Sequence, residues 1–156
     1  AIRDNCNEKF RTVLYRRSMM RLASVVGSYF ESEALVTGDN LGQVASQTLT
    51  NLRVIEEASP MMILRPLLIY DKLDIIEVAQ KIGTFDISQI QVPDSCTVFA
   101  PASPSTHASL PMVKEDESKL DLHALLAECI GQTTILSTLN YASHPFVELR
   151  DVPIVL

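Results

Sequence analysis

Nowhere in the 156 residues do two glycines stand together; the five present are Gly27, Gly38, Gly42, Gly83 and Gly131. A phosphate-cradling loop built on consecutive glycines is therefore absent from this stretch. Cysteine is scarce as well. Cys6, Cys96 and Cys129 are too few for a disulfide framework, and no CxxC pair signals a zinc or thioredoxin-type site. Reduced thiols in a cytoplasmic protein are the expectation. No apolar run approaches the ~18–20 residues that a membrane-spanning helix needs, which argues against a membrane partner. A signal-like start, a lipidation motif and a polybasic tail are all missing. His107, His123 and His144 lack metal-ligand spacing, and nothing suggests a Ser-His-Asp or paired-carboxylate centre.

What is present is globular. Hydrophobic residues make up 47% of the chain and charged ones 21%, enough for one domain with a real core. The net charge of −6 is uneven. Residues 1–30 hold six basic and two acidic side chains, giving +4; the rest hold seven and seventeen, giving −10. Such a chain is a poor nonspecific binder of nucleic acid, and any grip on a polynucleotide should be confined to the first helix or lie elsewhere. The chain starts at Ala1, without Met, as if inside a helix, and the expectation is a piece of something longer.

The pattern along the chain alternates. Residues 8–30 read as a helix whose apolar stripe starts at Phe10, Val13 and Leu14 and continues through Met20, Ala23, Val25 and Tyr29. "EALVTG" reads as a strand ending at Gly38. "NLGQVASQTLTNLRVIEEA" follows as one helix, with Leu41, Val44, Ala45, Leu49, Leu52 and Ile55 inward and Asp39 or Asn40 as N-cap. "MMILRPLLI" is a strand too apolar for a solvated face, which suggests a parallel sheet covered on both sides. Asp71 caps a helix that Lys72 begins, that Ile75, Ile76, Ala79 and Ile82 line, and that Gly83 ends. This rhythm predicts an α/β fold with a mostly parallel sheet. Residues 90–111 form a Pro- and Ser/Thr-rich loop, "VKEDESKL" a solvated charge run, and "LDLHALLAECI" a further amphipathic helix. "TTILSTL" and "HPFVELRDVPIVL" could pair as a small edge hairpin.

Several residues could carry chemistry. On a wheel at about 100° per residue with Phe10 at zero, Arg17 falls near ~340° and Arg21 near ~20°, inside the apolar stripe. Arg16 lies at its edge beside Met20. Buried guanidinium groups need carboxylate or phosphate partners. A salt bridge to later acids is one reading and an anion clamp the other, and the pattern does not choose. Gly38 and Gly42 flank the expected entrance of the second helix, where free N–H groups could meet a phosphate or purine. Gln43 and Gln47 could read a base edge or ribose from there. An ordinary turn with solvent-facing glutamines carries the same residues. Cys96 lies in "PDSCTVFAPASP", where a thiol on a loop could visit different partners; Cys6 and Cys129 read as packing residues.

Taken together, "YRRSMMRLA", "LVTGDNLGQVASQTLTNLRVI", "ILRPLLIYDKLDIIEVAQKIGT" and "DSCTVFAP" resemble, in order and spacing, the tRNA 4-thiouridine synthetase (tRNA sulfurtransferase) family over about two thirds of the chain. The resemblance implies an adenine-nucleotide α-hydrolase-like domain, a three-layer sandwich around a mostly parallel sheet. It implies ATP, with Mg2+, as the activating cosubstrate. It implies tRNA as substrate, adenylated at the uridine of position eight, and a persulfide donor such as a cysteine desulfurase. In many members the same sulfur relay serves thiamine thiazole synthesis. Carried over by position, Arg16, Gly38 and Gln47 are expected to contact nucleotide, and Cys96 is expected to be the catalytic cysteine of sulfur transfer. Arg17 and Arg21 receive no role from it.

The family's Ser-Gly-Gly-x-Asp-Ser pyrophosphate loop is absent here, as are its N-terminal RNA-binding modules and a rhodanese domain. Residues 1–111 are therefore expected to be the C-terminal part of the catalytic domain and 112–156 its helix-and-strand extension. Alone, such a piece should be inactive, and its cut sheet should expose apolar surface that favours a homodimer or aggregation. Two other readings stay open: a different PP-loop ATP pyrophosphatase acting on RNA or an amino acid, and a degenerate paralogue that binds only a nucleotide or a partner.

Overall fold

The computed structural model describes residues 1–92, 101–136 and 143–145. The chain opens with a one-turn helix, α1 (Ile2–Asn5), and a 3-10 turn (Glu8–Phe10) that leads into the long helix α2 (Arg11–Tyr29). Strand β1 (Ala34–Val36) follows, then a 3-10 turn (Ala45–Gln47), helix α3 (Leu49–Glu56) and strand β2 (Met62–Leu64). Helices α4 (Lys72–Lys81) and α5 (Phe85–Ser88) come next, and after the loop α6 (Leu110–Glu117) and α7 (Leu122–Gly131). Strands β3 (Thr134–Leu136) and β4 (Ser143–Pro145) pair antiparallel, in line with the small hairpin expected at that end.

Strands β1 and β2 pair in parallel, with Ala34 opposite Met62, Leu35 opposite Ile63 and Val36 opposite Leu64. The α/β class and the parallel pairing match the rhythm of the sequence. Pleating sends Ile63 into the core, where it joins Phe10, Val13, Leu14 and Met20 of the first helical stretch, Val54 and Ile55 of α3, and Ala108 and Val113. Leu35 packs against this cluster from β1. The alternate residues Val36, Met62 and Leu64 are exposed, so the strand expected to be covered on both sides is covered on one among the described residues. The segment after Leu64 also leaves the strand early, because Pro66 has no N–H for a ladder and the chain turns through Leu67.

Gly27 lets α2 lie close to the sheet: a Cβ there would meet Met61 Sδ at 2.9 Å and Leu35 Cδ2 at 3.4 Å. Helix α4 begins after Asp71, whose N–H donates to the Asp74 carboxylate at 3.1 Å, and stops before Gly83, which sits at φ +73°. Its expected lining is less covered than the pattern implies. Ile75, Ile76 and Ala79 are half-buried, and Ile82 is exposed.

The arginines inside the apolar stripe are paired. Arg17 is fully buried, and its Nε and Nη2 donate to the two oxygens of Glu117, each at 2.9 Å. Nη2 also reaches Glu57 Oε2 at 2.9 Å, and Nη1 donates to the Val54 carbonyl. Arg21 binds the same carboxylate, Nη1 to Oε1 at 2.7 Å and Nη2 to Oε2 at 3.0 Å. The run "VKEDESKL" is therefore only in part a solvated charge run: Lys114, Glu115 and Lys119 are exposed. It forms the end of α6, with Val113, Asp116 and Glu117 buried. Two guanidinium groups on α2 outweigh the hydration that Glu117 loses, which a count of charges along the chain does not reveal.

Burial opposes the charge on Glu117, but Arg21 and Arg17 overcome it and hold the carboxyl below its ordinary range. Glu57 is lowered in the same way: burial opposes its charge, and Lys114 and Arg17 prevail. A carboxylate shifted downward stabilises the fold fully above its unfolded pKa, and that contribution is lost as pH falls through the lowered folded value. Glu117→Gln leaves two buried cations short of a counter-charge and should cost about 3–5 kcal/mol in urea unfolding at neutral pH. The variant should also lose less stability on acidification than the wild type does.

Candidate nucleotide site

The carboxyl ends of β1 and β2 carry two loops, residues 37–44 and 65–71, and the candidate site lies where they meet. Thr37 extends the ladder, its N–H donating to the Leu64 carbonyl at 3.0 Å. Leu41 N–H donates to the Leu68 carbonyl at 2.9 Å, and the Asn40 amide donates to the carbonyls of Leu67 at 2.9 Å and Tyr70 at 2.5 Å. A cleft of about 380 Å³ lies between the loops, lined by Asn40 to Gln43 and Leu68 to Lys72. Clefts at the carboxyl ends of parallel strands are where α/β folds place ligands, but none of Arg16, Gly38, Asp39 or Gln47 lines this one.

No helix begins at Asn40. Residues 41–44 form turns, Gly42 takes φ +79° with its N–H donating to the Gln47 carbonyl at 3.0 Å, and α3 starts only after Thr48. The Thr48 hydroxyl is the N-cap, accepting from Asn51 N–H at 3.2 Å. Leu41, Val44 and Leu49, read as inward-facing, are exposed, while Leu52 and Ile55 are buried as expected. The helix-dipole route to a phosphate site at Gly38 therefore does not apply. Asp39 and Asn40 use their side chains on tertiary partners instead of capping.

What replaces it is a carboxylate hub. Asp39 is 2% exposed, and each of its oxygens takes two donors. Oδ1 accepts from Arg16 Nη2 and from Gln47 Nε2 at 3.3 Å. Oδ2 accepts from Thr37 Oγ1 at 2.8 Å and from Arg65 Nε at 3.3 Å. Burial works against the charge on Asp39, but Arg16 and Thr37 hold its carboxyl below the usual range. Three of the four predicted site residues are thus gathered: Arg16 and Gln47 meet on one oxygen, and Gly38 is the neighbour of Asp39. A Cβ on Gly38 would meet nothing within 4 Å, so space is open beside its backbone. Cys96, the fourth, lies outside the described residues.

Adjacent arginines on α2 have opposite fates. Arg17 commits four of the five guanidinium N–H groups to protein partners, so its place is structural and the anion-clamp reading does not hold for it. Arg16 uses two, on Asp39 and on Ser46 Oγ at 3.4 Å. Three N–H groups of Arg16 remain for a ligand among the described residues. Asp39, Thr37, Ser46 and Arg65 were not singled out in the sequence as site residues. Arg65 had a signal: it is the one charge inside "MMILRPLLI".

Asn51, fully buried, ties this corner to the later loop. Its Nδ2 donates to the carbonyls of Ala45 and Ser105, both at 2.7 Å, and its Oδ1 accepts from Ala108 N–H at 2.8 Å. Thr48 Oγ1 adds a bond to the Thr106 carbonyl at 2.7 Å. The chain that follows the Cys96 region is thereby pinned to the turn that carries Gln47.

The family model described as Thiamine biosynthesis protein (ThiI) matches residues 1–122. The chain belongs to the ThiI family. It is 44% identical over 136 residues to a protein of Finegoldia magna named "Probable tRNA sulfurtransferase", covering 87% of this chain and 35% of that protein. A Thermus thermophilus protein of the same name is 42% identical over 139 residues, covering 89% and 34%. A solved structure described as a 4-thiouridine synthetase–RNA complex with bound ATP superposes with a TM-score of 0.74 at 40% identity, covering 80% of this chain and 32% of that one. The chain spans about a third of the length of these ThiI relatives.

Asn51→Ala should strand the Ala108 N–H and two carbonyls. We expect a loss of roughly 1–3 kcal/mol in chemical unfolding, with faster proteolysis near Ser105 than near Leu14.

Proposed function

We propose that this chain forms part of a tRNA sulfurtransferase that uses ATP to adenylate uridine 8 of tRNA and replaces its 4-oxygen with sulfur from a persulfide. The observation that carries this reading is the convergence of Arg16, Gln47 and the Gly38 turn on buried Asp39 at the carboxyl ends of β1 and β2. The likeness to an ATP-bound, RNA-bound 4-thiouridine synthetase supports it. The fit to a nucleotide rests on chemistry present here. Arg16 has spare donors for a phosphate, Gln47 keeps its carbonyl and one N–H, and Gly38 leaves its backbone approachable.

ATP, with Mg2+ as counter-ion, would supply the adenylate that makes the 4-oxygen a leaving group. Arg16 orients and partly neutralises the phosphate on which negative charge gathers as that oxygen departs. Gln47 fixes the nucleoside by a directional amide contact, and the Gly38 turn lets backbone groups reach it without a side chain between. Cys96 acts as a thiolate. The outer sulfur of the persulfide first attacks C4 of the adenylated uridine and AMP departs, leaving a disulfide between base and carrier. Cys96 then attacks the carrier's sulfur of that disulfide, the S–S bond breaks, and the electron pair leaves on the sulfur that becomes 4-thiouridine. The product on the protein side is a disulfide between Cys96 and the carrier, which a thiol reductant returns to the reduced state. tRNA, a cysteine desulfurase as sulfur source and a second copy of the chain are the partners this reading assigns, and thiazole sulfur for thiamine is a second outlet for the same relay.

Two measurements test it. The full-length protein should restore 4-thiouridine to a strain that lacks it, whereas Cys96→Ala should restore none; normal thiouridine with the alanine variant would remove Cys96 from the mechanism. Arg16→Ala should weaken ATP binding in calorimetry by roughly tenfold or more, the worth of one charge-assisted contact.

A further inference from the structure

Arg16 and Gln47 retain unused hydrogen-bonding groups among the described residues, yet both are anchored on the same atom, Asp39 Oδ1. Gln47 has no other side-chain bond there, and apart from Asp39, Arg16 has only the 3.4 Å contact to Ser46. Without that oxygen, two long side chains would be free to leave the strand edge. Asp39 itself is immobilised from behind, since Thr37 and Arg65 occupy Oδ2, and Arg65 Nη1 is in turn held by Glu56 Oε2 at 2.8 Å.

We infer that Asp39 is the positioning residue of the nucleotide site, a buried carboxylate that orients Arg16 and Gln47 through Oδ1 while Thr37 and Arg65 fix Oδ2. This rests on the nucleotide reading proposed above and adds to it a residue that need not touch the ligand. Charge supports the assignment. Arg16 and Arg65 would repel each other at one strand edge, and the carboxylate between them removes that repulsion while leaving the pair of cations with one excess positive charge. Glu56, in direct contact with Arg65 at 2.8 Å, offsets that excess, so the four charges sum to zero. The site is therefore ordered before a ligand arrives, and what it offers an anion is the unspent N–H groups of Arg16. Preorganisation of this kind appears in affinity, because the ligand need not order the side chains itself.

A double-mutant cycle on ATP binding by the full-length protein tests the assignment. Asp39→Asn keeps the shape but cannot accept donors on both atoms, and it should weaken ATP binding by about tenfold or more. Gln47→Ala alone should weaken it by about two- to tenfold, and by less than about twofold when Asp39 is already Asn, because the amide is then no longer held in place. Thr37→Val, which removes a single hydrogen bond to Oδ2, gives a second and milder reading if Asp39→Asn does not fold, with a smaller loss of affinity at unchanged Tm. Wild-type protein that binds no ATP would overturn the nucleotide reading and the assignment with it. Wild-type protein that binds ATP, with additive effects of Asp39→Asn and Gln47→Ala or with no effect of Thr37→Val, would overturn the assignment of Asp39 alone.

Discussion

The structure depends on Glu117, a buried carboxylate gripped by Arg17 and Arg21 from successive turns of α2. Two forked contacts to one acid fix α2 in rotation as well as in position, which a purely apolar stripe does less strictly. Rotation matters because Arg16 is about 100° from Arg17 around the helix. With Arg17 turned toward Glu117 and Glu57, Arg16 is turned toward the loop after β1, where Asp39 receives it. A small turn of α2 would misplace the very guanidinium that the strand edge uses. The ion cluster in the core thus sets the direction of the cation in the site.

The same tie joins distant parts of the chain. Glu117 comes about a hundred residues after Arg17, and Val113, one turn earlier on α6, is fully buried against the α2 and α3 core. Cys6 and Asn7 also contact Asp116, the thiol to its carbonyl at 3.5 Å and the backbone N–H to its carboxylate at 2.9 Å. The residues after the Pro-rich loop are thus part of the unit that positions the site. A buried charge cluster of this kind costs much desolvation, so it contributes specificity of arrangement more than net stability.

Much of this was legible in the sequence. The strand within "EALVTG", which ends at Val36, the helix between Asp71 and Gly83 and the parallel pairing all follow from local rules that tertiary context leaves intact: periodicity, a glycine stop, alternating elements. The helix expected from Asn40 failed because its apolar residues at 41, 44 and 49 satisfied helical spacing without being buried; Asn40 and Asp39 had better partners in the β2 loop than a helix end could offer. The charge run at 113–120 misled for a related reason. Glu117 reads as hydrated because its two cationic partners lie far away in sequence. Gathering Arg16, Gly38 and Gln47 was readable only through family resemblance, since no spacing rule connects a helix edge, a strand end and a 3-10 turn.

The two carboxylate hubs are both saturated by four donors, but they differ in how far their arginines are spent: Arg17 is nearly exhausted, while Arg21, like Arg16, makes only two bonds. At Glu117 the donors of Arg17 are nearly exhausted on protein acceptors, including a backbone carbonyl, and a ligand there would have to displace bonds already made. At Asp39 four donors saturate the acid, but the donors themselves remain partly unspent. A saturated acceptor ringed by unsaturated donors is a surface poised for an anion. It is rigid because the acceptor has no freedom left, and receptive because the donors still do. The same chemical pair, arginine with carboxylate, thus fastens α2 to α6 in one place and organises the strand edge in the other; Arg21 also keeps unspent N–H groups, so what sets Arg16 apart is its place at the carboxyl ends of β1 and β2.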